Sequence, residues 1–414
     1  MIIINDTLGA YGGGQTLMLR MSTWLRSQDY DVTILCNNAD NTEIVSALSK
    51  IGVRIVIVNI MDFEKIALLL KDFQKNHEIK VINFAWNQYL SIEIAKKQGR
   101  LQFDNFIYCI HPQTFMKGNV IGLPLLHEHI VREYGEILKR VNENNALLMM
   151  DEFTQKETEN YFGYTLKINQ PVIRIPINIE ELPDRDQVIM DGYKKNIIFT
   201  SARAEFPFKG YLIGLVELFP KIKNEFPDAR MIIISGGDDF EQLEEKISSL
   251  PENIKISVEL HNWMKYDQLI ELMKSAKVVI GMGTTVLDAA RVYKPAILTE
   301  TYKMECTSEG FFADAPEKLN AFNGDSQVFI KLLREIFTSS LEQYSVRAKH
   351  SFDMAKEYYE IGNVMKKLIS LETKNKECIL KNGEILEHKL GDLYRKIRYR
   401  GKRDFDYTKI RKEN

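Results

Sequence analysis

Short apolar runs separated by amphipathic stretches recur along the first half of the chain, the sequence sign of a parallel sheet wrapped by helices. Runs at residues 2–4, 32–35, 54–58, 81–84, 106–110 and 146–150 predict strands, with helices between them. The first of these helices carries Leu17, Leu19, Met21, Trp24 and Leu25 at helical spacing. Between residues 176 and 196 the stretch IPINIEELPDRDQ mixes proline with charge and loses periodicity, so a domain boundary is expected there. A second series follows, with strands at 197–200, 231–234 and 254–258, a helix at 211–226 and another within 262–275.

Residues 278–295, VVIGMGTTVLDAARVYKP, then read as a buried strand, a glycine-rich turn and a helix start. Gly281 and Gly283 permit a tight turn and close approach of a ligand to backbone. Thr284 or Thr285 can cap the helix, with Asp288 as the distal partner of a capping-box-like pair. Free N–H groups and the positive end of the dipole at such a terminus suit a phosphate. On the local pattern alone, an ordinary strand-to-helix turn is the competing reading.

Composition narrows the class. At 414 residues the chain has room for two or three domains, and 45% hydrophobic with 27% charged residues is ordinary for a globular protein. A formal net charge of -2 gives no reason to expect nucleic acid. No apolar run approaches the roughly 20 residues of a membrane span. The opening MIII is too short for a secretory apolar region and is expected to begin a strand. Cys36, Cys109, Cys306 and Cys378 are scattered without a CxxC pair; Cys36 and Cys109 end apolar runs and suit buried thiols in a reducing cytoplasm. The loop GAYGGG at residues 9–14 is not GxGxxG, and Cys36, Asn37 and Asn38 stand where a dinucleotide site needs an acid, so NAD binding is disfavoured.

The order IIFTSARAEFPFKG, PDARMIIISGG and NIKISVELHNWMKYDQLIELMKSAKVVIGMGTTVLDAARVYKPAIL resembles the nucleotide-sugar-binding domain of GT-B glycosyltransferases, those of family 4 above all. The resemblance covers roughly residues 196–345; the N-terminal half matches more loosely, through Gly12 to Gly14, FIYCIHP and the segment leading into the boundary. It implies an α/β fold of two Rossmann-like domains facing a cleft. The expected division is an acceptor-side domain at 1–178, a linker at 179–195, a donor domain at 196–345, a helix crossing back at 346–372 and a basic tail at 373–414. It also implies retaining transfer of a sugar from a nucleotide-sugar donor to a hydroxyl of a glycan or lipid-linked acceptor, with no metal or other cofactor.

By the same resemblance Arg203 and Lys209 contact the donor diphosphate, where fixed cations stabilise the leaving group's growing charge. Gly283, Thr284 and Thr285 fall at the phosphates and Asp288 at the ribose, while Ile280 stands where the family's Glu-x7-Glu pattern has its first, sugar-contacting Glu. His111 falls near the transferred sugar, to orient it or hydrogen-bond developing charge; Gly13 and Gly14 close the N-domain loop, and Trp263 lies near the base pocket. Each has a plain structural reading beside it: solvent exposure for Arg203 and Lys209, a satisfied turn for His111, the capping box for Asp288. Trp86 and Asn87 could line the acceptor side or be buried.

Other clusters carry no function. His127, Glu128 and His129 lack the i, i+4 spacing of HExxH. The DxD triplets at 184–186 and 404–406 lie in the linker and the tail, away from strand ends, and read as solvated charge. From residue 374 the tail has 13 Lys and Arg against 7 acids, interleaved with Tyr394, Tyr399, Phe405 and Tyr407. Such a segment can lie on an anionic membrane, bind a partner protein or simply be solvated. The expectation is a cytoplasmic glycosyltransferase of surface polysaccharide or glycoconjugate synthesis, peripheral at the inner membrane face. The alternatives are a non-catalytic GT-B-like partner subunit and a sugar-nucleotide epimerase of the same architecture.

Overall fold

Strands at the centre of a parallel sheet are covered on both faces and so are apolar without alternation. Such strands build both units of this computed structural model, which describes residues 1–8, 13–111, 114–115, 124–386 and 388, the side chains of 124–127 and 130 excepted. The units are Met1–Pro176 with Ile361–Asn414, and Ile177–Glu360.

In the first unit, strands β1 (Ile2–Asn5), β2 (Val32–Cys36), β3 (Arg54–Ile57), β4 (Lys80–Asn83), β5 (Asp104–Cys109) and β6 (Leu147–Met149) alternate with α1 (Gly13–Ser27), α2 (Thr42–Lys50), α3 (Phe63–Gln74), α4 (Trp86–Gly99) and α5 (Pro124–Glu143). Helix α6 (Glu152–Phe162) follows. The all-parallel sheet has the order β3-β2-β1-β4-β5-β6, with Asn5 in register with Leu35 and Asn83. All six strands expected from the apolar runs are present. Two apolar clusters fill this unit, one through Trp86, Tyr89, Ile107 and Leu147, the other through Ile3, Leu35, Leu70 and Val81. Trp86 is 1% exposed, stacked on Tyr89 and edge-on to Phe115, so it belongs to the core and not to an acceptor surface.

The second unit opens with α7 (Arg185–Lys194), inside the stretch expected as linker; Asp184 to Asp186 start it as exposed charge, Asp186 pairing with Lys349 at 3.5 Å. Then come β7 (Ile197–Ser201), α8 (Tyr211–Glu225), β8 (Arg230–Ile234), α9 (Phe240–Ser248), α10 (Glu252–Lys255), β9 (Val258–His261), α11 (Tyr266–Lys274), β10 (Val278–Gly281), α12 (Thr284–Arg291) and β11 (Ala296–Leu298). Its sheet runs β11-β10-β7-β8-β9, all parallel. The strand expected at 254–258 lies later. Pro251 caps a helical turn that buries Ile254 and leaves Ile256 74% exposed, so pairing with β8 begins only at Val258.

Helix α13 (Ser326–Thr338) precedes two helices, α14 (Leu341–Tyr359) and α15 (Ile361–Ser370), over residues read as one. They part at Glu360, which bridges to Ile177, and Ile177 N–H donates to Tyr359 O at 2.9 Å. Helix α14 stays with the second unit, where Phe352 stacks on Tyr293, and α15 belongs to the first.

The tail is not a free extension as far as residue 386. Thr373 donates twice to the buried Asp104, and Lys374 N–H donates to Asn144 O. Glu93 and Lys96 form an ion pair at 3.1 Å with both side chains 1% exposed. The tail completes it: Ile379 N–H donates to Glu93 Oε2 at 2.9 Å and Lys96 donates to Glu377 O at 3.1 Å. Arg140 pairs with Glu384, and Leu380 is buried. Buried charge demands such partners, and here the backbone of the tail supplies them. The residues from 389 on, with the second DxD triplet and the tail aromatics, lie outside the described residues.

Candidate functional site

In an open α/β sheet a ligand meets the carboxyl ends of the strands where the strand order reverses, because loops there diverge to opposite sides. In the second unit that point lies between β7 and β10. From β7 the chain builds β8 and β9 on one side, then returns to place β10 on the other. Thr285 Oγ1 donates to Ser201 O at 2.8 Å, pinning the start of α12 to the end of β7.

The glycine turn between β10 and α12 meets two demands. A Cβ at Gly281 would lie 3.2 Å from Thr285 Cγ2, so the turn is tight. Gly283 is the N-cap with φ 61° and ψ −137°, a conformation side chains resist, and its N–H donates to Leu319 O at 2.7 Å. The expected threonine cap is absent: Thr284 and Thr285 are already helical, and Thr285 spends its hydroxyl on Ser201. With glycine at the cap, the cap residue offers no side chain to the first-turn N–H groups, which precede any intrahelical acceptor. The capping-box role of Asp288 is absent as well; its carboxylate, 8% exposed, accepts from the Tyr266 hydroxyl. Ile280 is fully buried in β10.

The loop after β7 is stitched to the loop after β8. Ala202 N–H donates to Ile234 O, Ala204 N–H to Gly236 O, and Asp239 accepts from Phe206 N–H at 2.6 Å. Arg203 and Lys209 rise from this loop. The Arg203 stem lies on Gly237, where a Cβ would come within 2.6 Å of its Cγ. Lys209 is half-buried, and burial holds its ammonium below the usual lysine value; the Arg203 charge adds to this and Glu205 opposes it. Trp263, 51% exposed just past β9, lies against Gly236, where a Cβ would collide with its indole. Arg203, Lys209, Trp263, Gly283, Thr284, Thr285 and Asp288 thus all stand at the carboxyl edge of one sheet. Sequence reasoning missed Gly236 and Gly237 as the floor under Arg203 and Trp263. Two adjacent glycines closing a strand were the available signal.

In the first unit the order reverses between β1 and β4. Gly13 and Gly14 open α1, the helix that follows β1, while residues 9–12 of the glycine loop lie outside the described residues. His111, half-buried, follows β5, one strand further along the sheet, and its carbonyl accepts from Thr114 N–H and Oγ1. Sequence reasoning also passed over Asp6 at the end of β1. Its carboxyl is 9% exposed, accepts from Thr7 N–H at 2.8 Å, and lies 3.5 Å from where a Cβ of Gly14 would be.

Burial pushes Asp6 up from 3.8 to about 6, against hydrogen bonds from Thr7 and Gln88. A carboxyl raised on folding contributes stability fully present below its unfolded value and lost as pH rises through the folded one. The ionised form therefore costs on the order of 3 kcal/mol near neutrality. Asp6→Asn is expected to stabilise the chain at pH 8 by about 1–3 kcal/mol and to flatten the stability slope between pH 4 and 6. Denaturant unfolding across that range checks it; an unchanged slope would contradict it.

Residues 187–343 match the family described as Glycosyl transferases group 1. A search of curated proteins gave no match. Among solved structures, the chain is similar to Anabaena Alr3699/HepE in complex with UDP and glucose, with TM-score 0.60 and 12% identity over 89% of this chain and 99% of that one. A glycosyltransferase from Rickettsia africae aligns with TM-score 0.62 and 14% identity over 89% and 96%. A variant of S. aureus TarM in complex with Fondaparinux, alpha-GlcNAc-glycerol and UDP aligns with TM-score 0.56 and 12% identity over 89% and 98%. At such identities these likenesses show the fold alone, and the fold is GT-B.

Proposed function

We propose that this chain, a GT-B protein whose second unit is a glycosyl transferases group 1 domain, moves a sugar from a nucleoside-diphosphate donor to a hydroxyl of a glycan or lipid-linked acceptor. The observation that carries the reading is the carboxyl edge at β7 and β10, where the β7 loop supplies Arg203 and Lys209 and the neighbouring α12 begins on a glycine cap, pinned to Ser201. That arrangement suits a diphosphate, whose charge grows as the glycosidic bond breaks. Lys209, disfavoured as a cation by burial and by Arg203, regains a counter-charge when a diphosphate binds.

Membership of family 4 and retention of configuration belong to this proposal. In retaining transfer on one face of the sugar, the leaving phosphate oxygen takes the acceptor proton, so His111 orients a sugar hydroxyl and no protein base is needed. Trp263 stacks on the base and Gly13 and Gly14 approach the diphosphate. No metal or organic cofactor takes part. Surface polysaccharide or glycoconjugate synthesis, and peripheral membrane contact through residues 389–414, are the expected setting. No helix among the described residues is long and apolar enough to cross a membrane.

A ligand that binds only the folded state raises apparent stability by RT ln(1 + [L]/Kd), about 2.7 kcal/mol at a hundredfold excess over Kd. Thermal shift with UDP, GDP, CMP and dTDP sugars is expected to single out one nucleotide. The UDP in the HepE and TarM complexes makes UDP sugars the first probes. No shift with any of them would sink the enzyme reading. The burial of Ile280 where the family has a sugar-contacting Glu favours a second reading, a non-catalytic partner subunit. Donor binding without hydrolysis or transfer in the presence of acceptors would support that reading.

A further inference from the structure

Asp288 is one methylene shorter than the glutamate whose place it takes, and a shorter carboxylate needs help to reach a fixed target. The structure supplies a holder from a different helix. Tyr266, the first residue of α11, donates its hydroxyl to Asp288 Oδ1 on α12. That hydroxyl accepts in turn from Arg291 Nη1 at 3.1 Å, and the Arg291 guanidinium carbon lies 5.7 Å from the Tyr266 ring centroid. Asp288 is 8% exposed, Tyr266 38% exposed and Arg291 half-buried, so a buried carboxylate is held by a hydroxyl whose side chain reaches solvent.

We propose that Tyr266, held by Arg291, is a positioning residue that sets the Asp288 carboxylate for the donor's ribose hydroxyls. The inference rests on the reading of this edge as a nucleotide-sugar site. Three features carry it. A tyrosine hydroxyl bonded to a carboxylate fixes one of its oxygens, which orients the whole planar group. Arg291 donating to the same hydroxyl polarises its O–H toward Asp288, since linked hydrogen bonds strengthen one another. The holder comes from α11, which begins five residues after β9 ends and three residues after Trp263, so the residue set for the base and the residue holding the ribose acid share one loop. A site built to hydrogen-bond a hydroxyl rejects an analogue lacking it strongly, because its polar group is left unpaired.

The test measures binding of UDP, GDP, CDP and ADP, with the 2′-deoxy and 3′-deoxy forms of whichever binds. Wild type is expected to bind the ribonucleotide about tenfold or more tightly than at least one deoxy form. In Tyr266→Phe, affinity for the ribonucleotide falls about 5–10-fold and the discrimination shrinks toward unity, while affinity for that deoxy form is nearly unchanged. A merely structural role would weaken both forms alike. In turnover with the matching nucleotide sugar, KM rises while kcat is retained, since the contact serves ground state and transition state equally. Adding Tyr266→Phe to Asp288→Asn costs little more than Asp288→Asn alone, as coupled partners require. Discrimination unchanged in Tyr266→Phe overturns the positioning role, as does its absence in wild type, and either result leaves the donor-site reading standing. Failure of all four diphosphates to bind wild type overturns this inference, and failure of dTDP as well overturns the donor-site reading with it.

Discussion

Replacing Arg203 or Lys209 by alanine is expected to lower donor turnover by about 10²–10³-fold, the scale seen when one preorganised group facing transition-state charge is removed. The geometry says why each is hard to replace. Arg203 is fixed by backbone bonds from the β7 loop to the β8 loop and by a glycine floor that only Gly237, with φ 118°, provides. Lys209 is half-buried and held below its ordinary pKa by burial and by Arg203, so it gains more from an incoming anion than an exposed lysine does. The loss should lie mainly in kcat/KM for the nucleotide sugar, with the folded state kept. Steady-state turnover, with unfolding as control, checks it; less than a threefold effect for both variants would remove the diphosphate from this loop.

Ending the chain after Glu372 is expected to destabilise the first unit by about 3–5 kcal/mol, the scale for buried charges that lose their partners. Glu93 and Lys96 would each lose a backbone partner, and Asp104 both donors from Thr373. The cause can be isolated with Glu93→Leu and Lys96→Met together, which remove the buried pair. If the partners are the reason, truncation in that background costs less than in the native one. Equal cost in both backgrounds would assign the loss to apolar contacts such as that of Leu380.

Much of the fold was legible in the sequence because its signals are local. Six apolar runs became six strands, and VVIG followed by a glycine turn became β10 and the start of α12. Where a local signal was ambiguous, the reading failed for a reason that can be stated. Ile254, Ile256 and Val258 alternate like a strand, yet Pro251 starts a helical turn and Ile256 faces solvent. The tail from residue 374 reads as a solvated, membrane-facing or partner-binding extension because nothing near it in sequence announces the buried Glu93 and Lys96 that the backbone of Ile379 and Glu377 satisfies.

The sequence by itself determined which stretches can be strand or helix, where the backbone turns on glycine, and which cations and carboxylate stand beside those turns. Periodicity, glycine freedom and charge reside in neighbouring residues, so no partner need be known. Only the tertiary structure decided that β10 returns beside β7, bringing Thr285 to Ser201, that Asp288 is held by Tyr266 and caps nothing, and that the tail binds Glu93. Each of these joins residues at least 22 apart in sequence, 22 for Tyr266 with Asp288, 84 for Thr285 with Ser201 and 286 for Ile379 with Glu93. Which of several possible partners a polar group takes is settled by the order of strands in a sheet and by the need to pair what is buried.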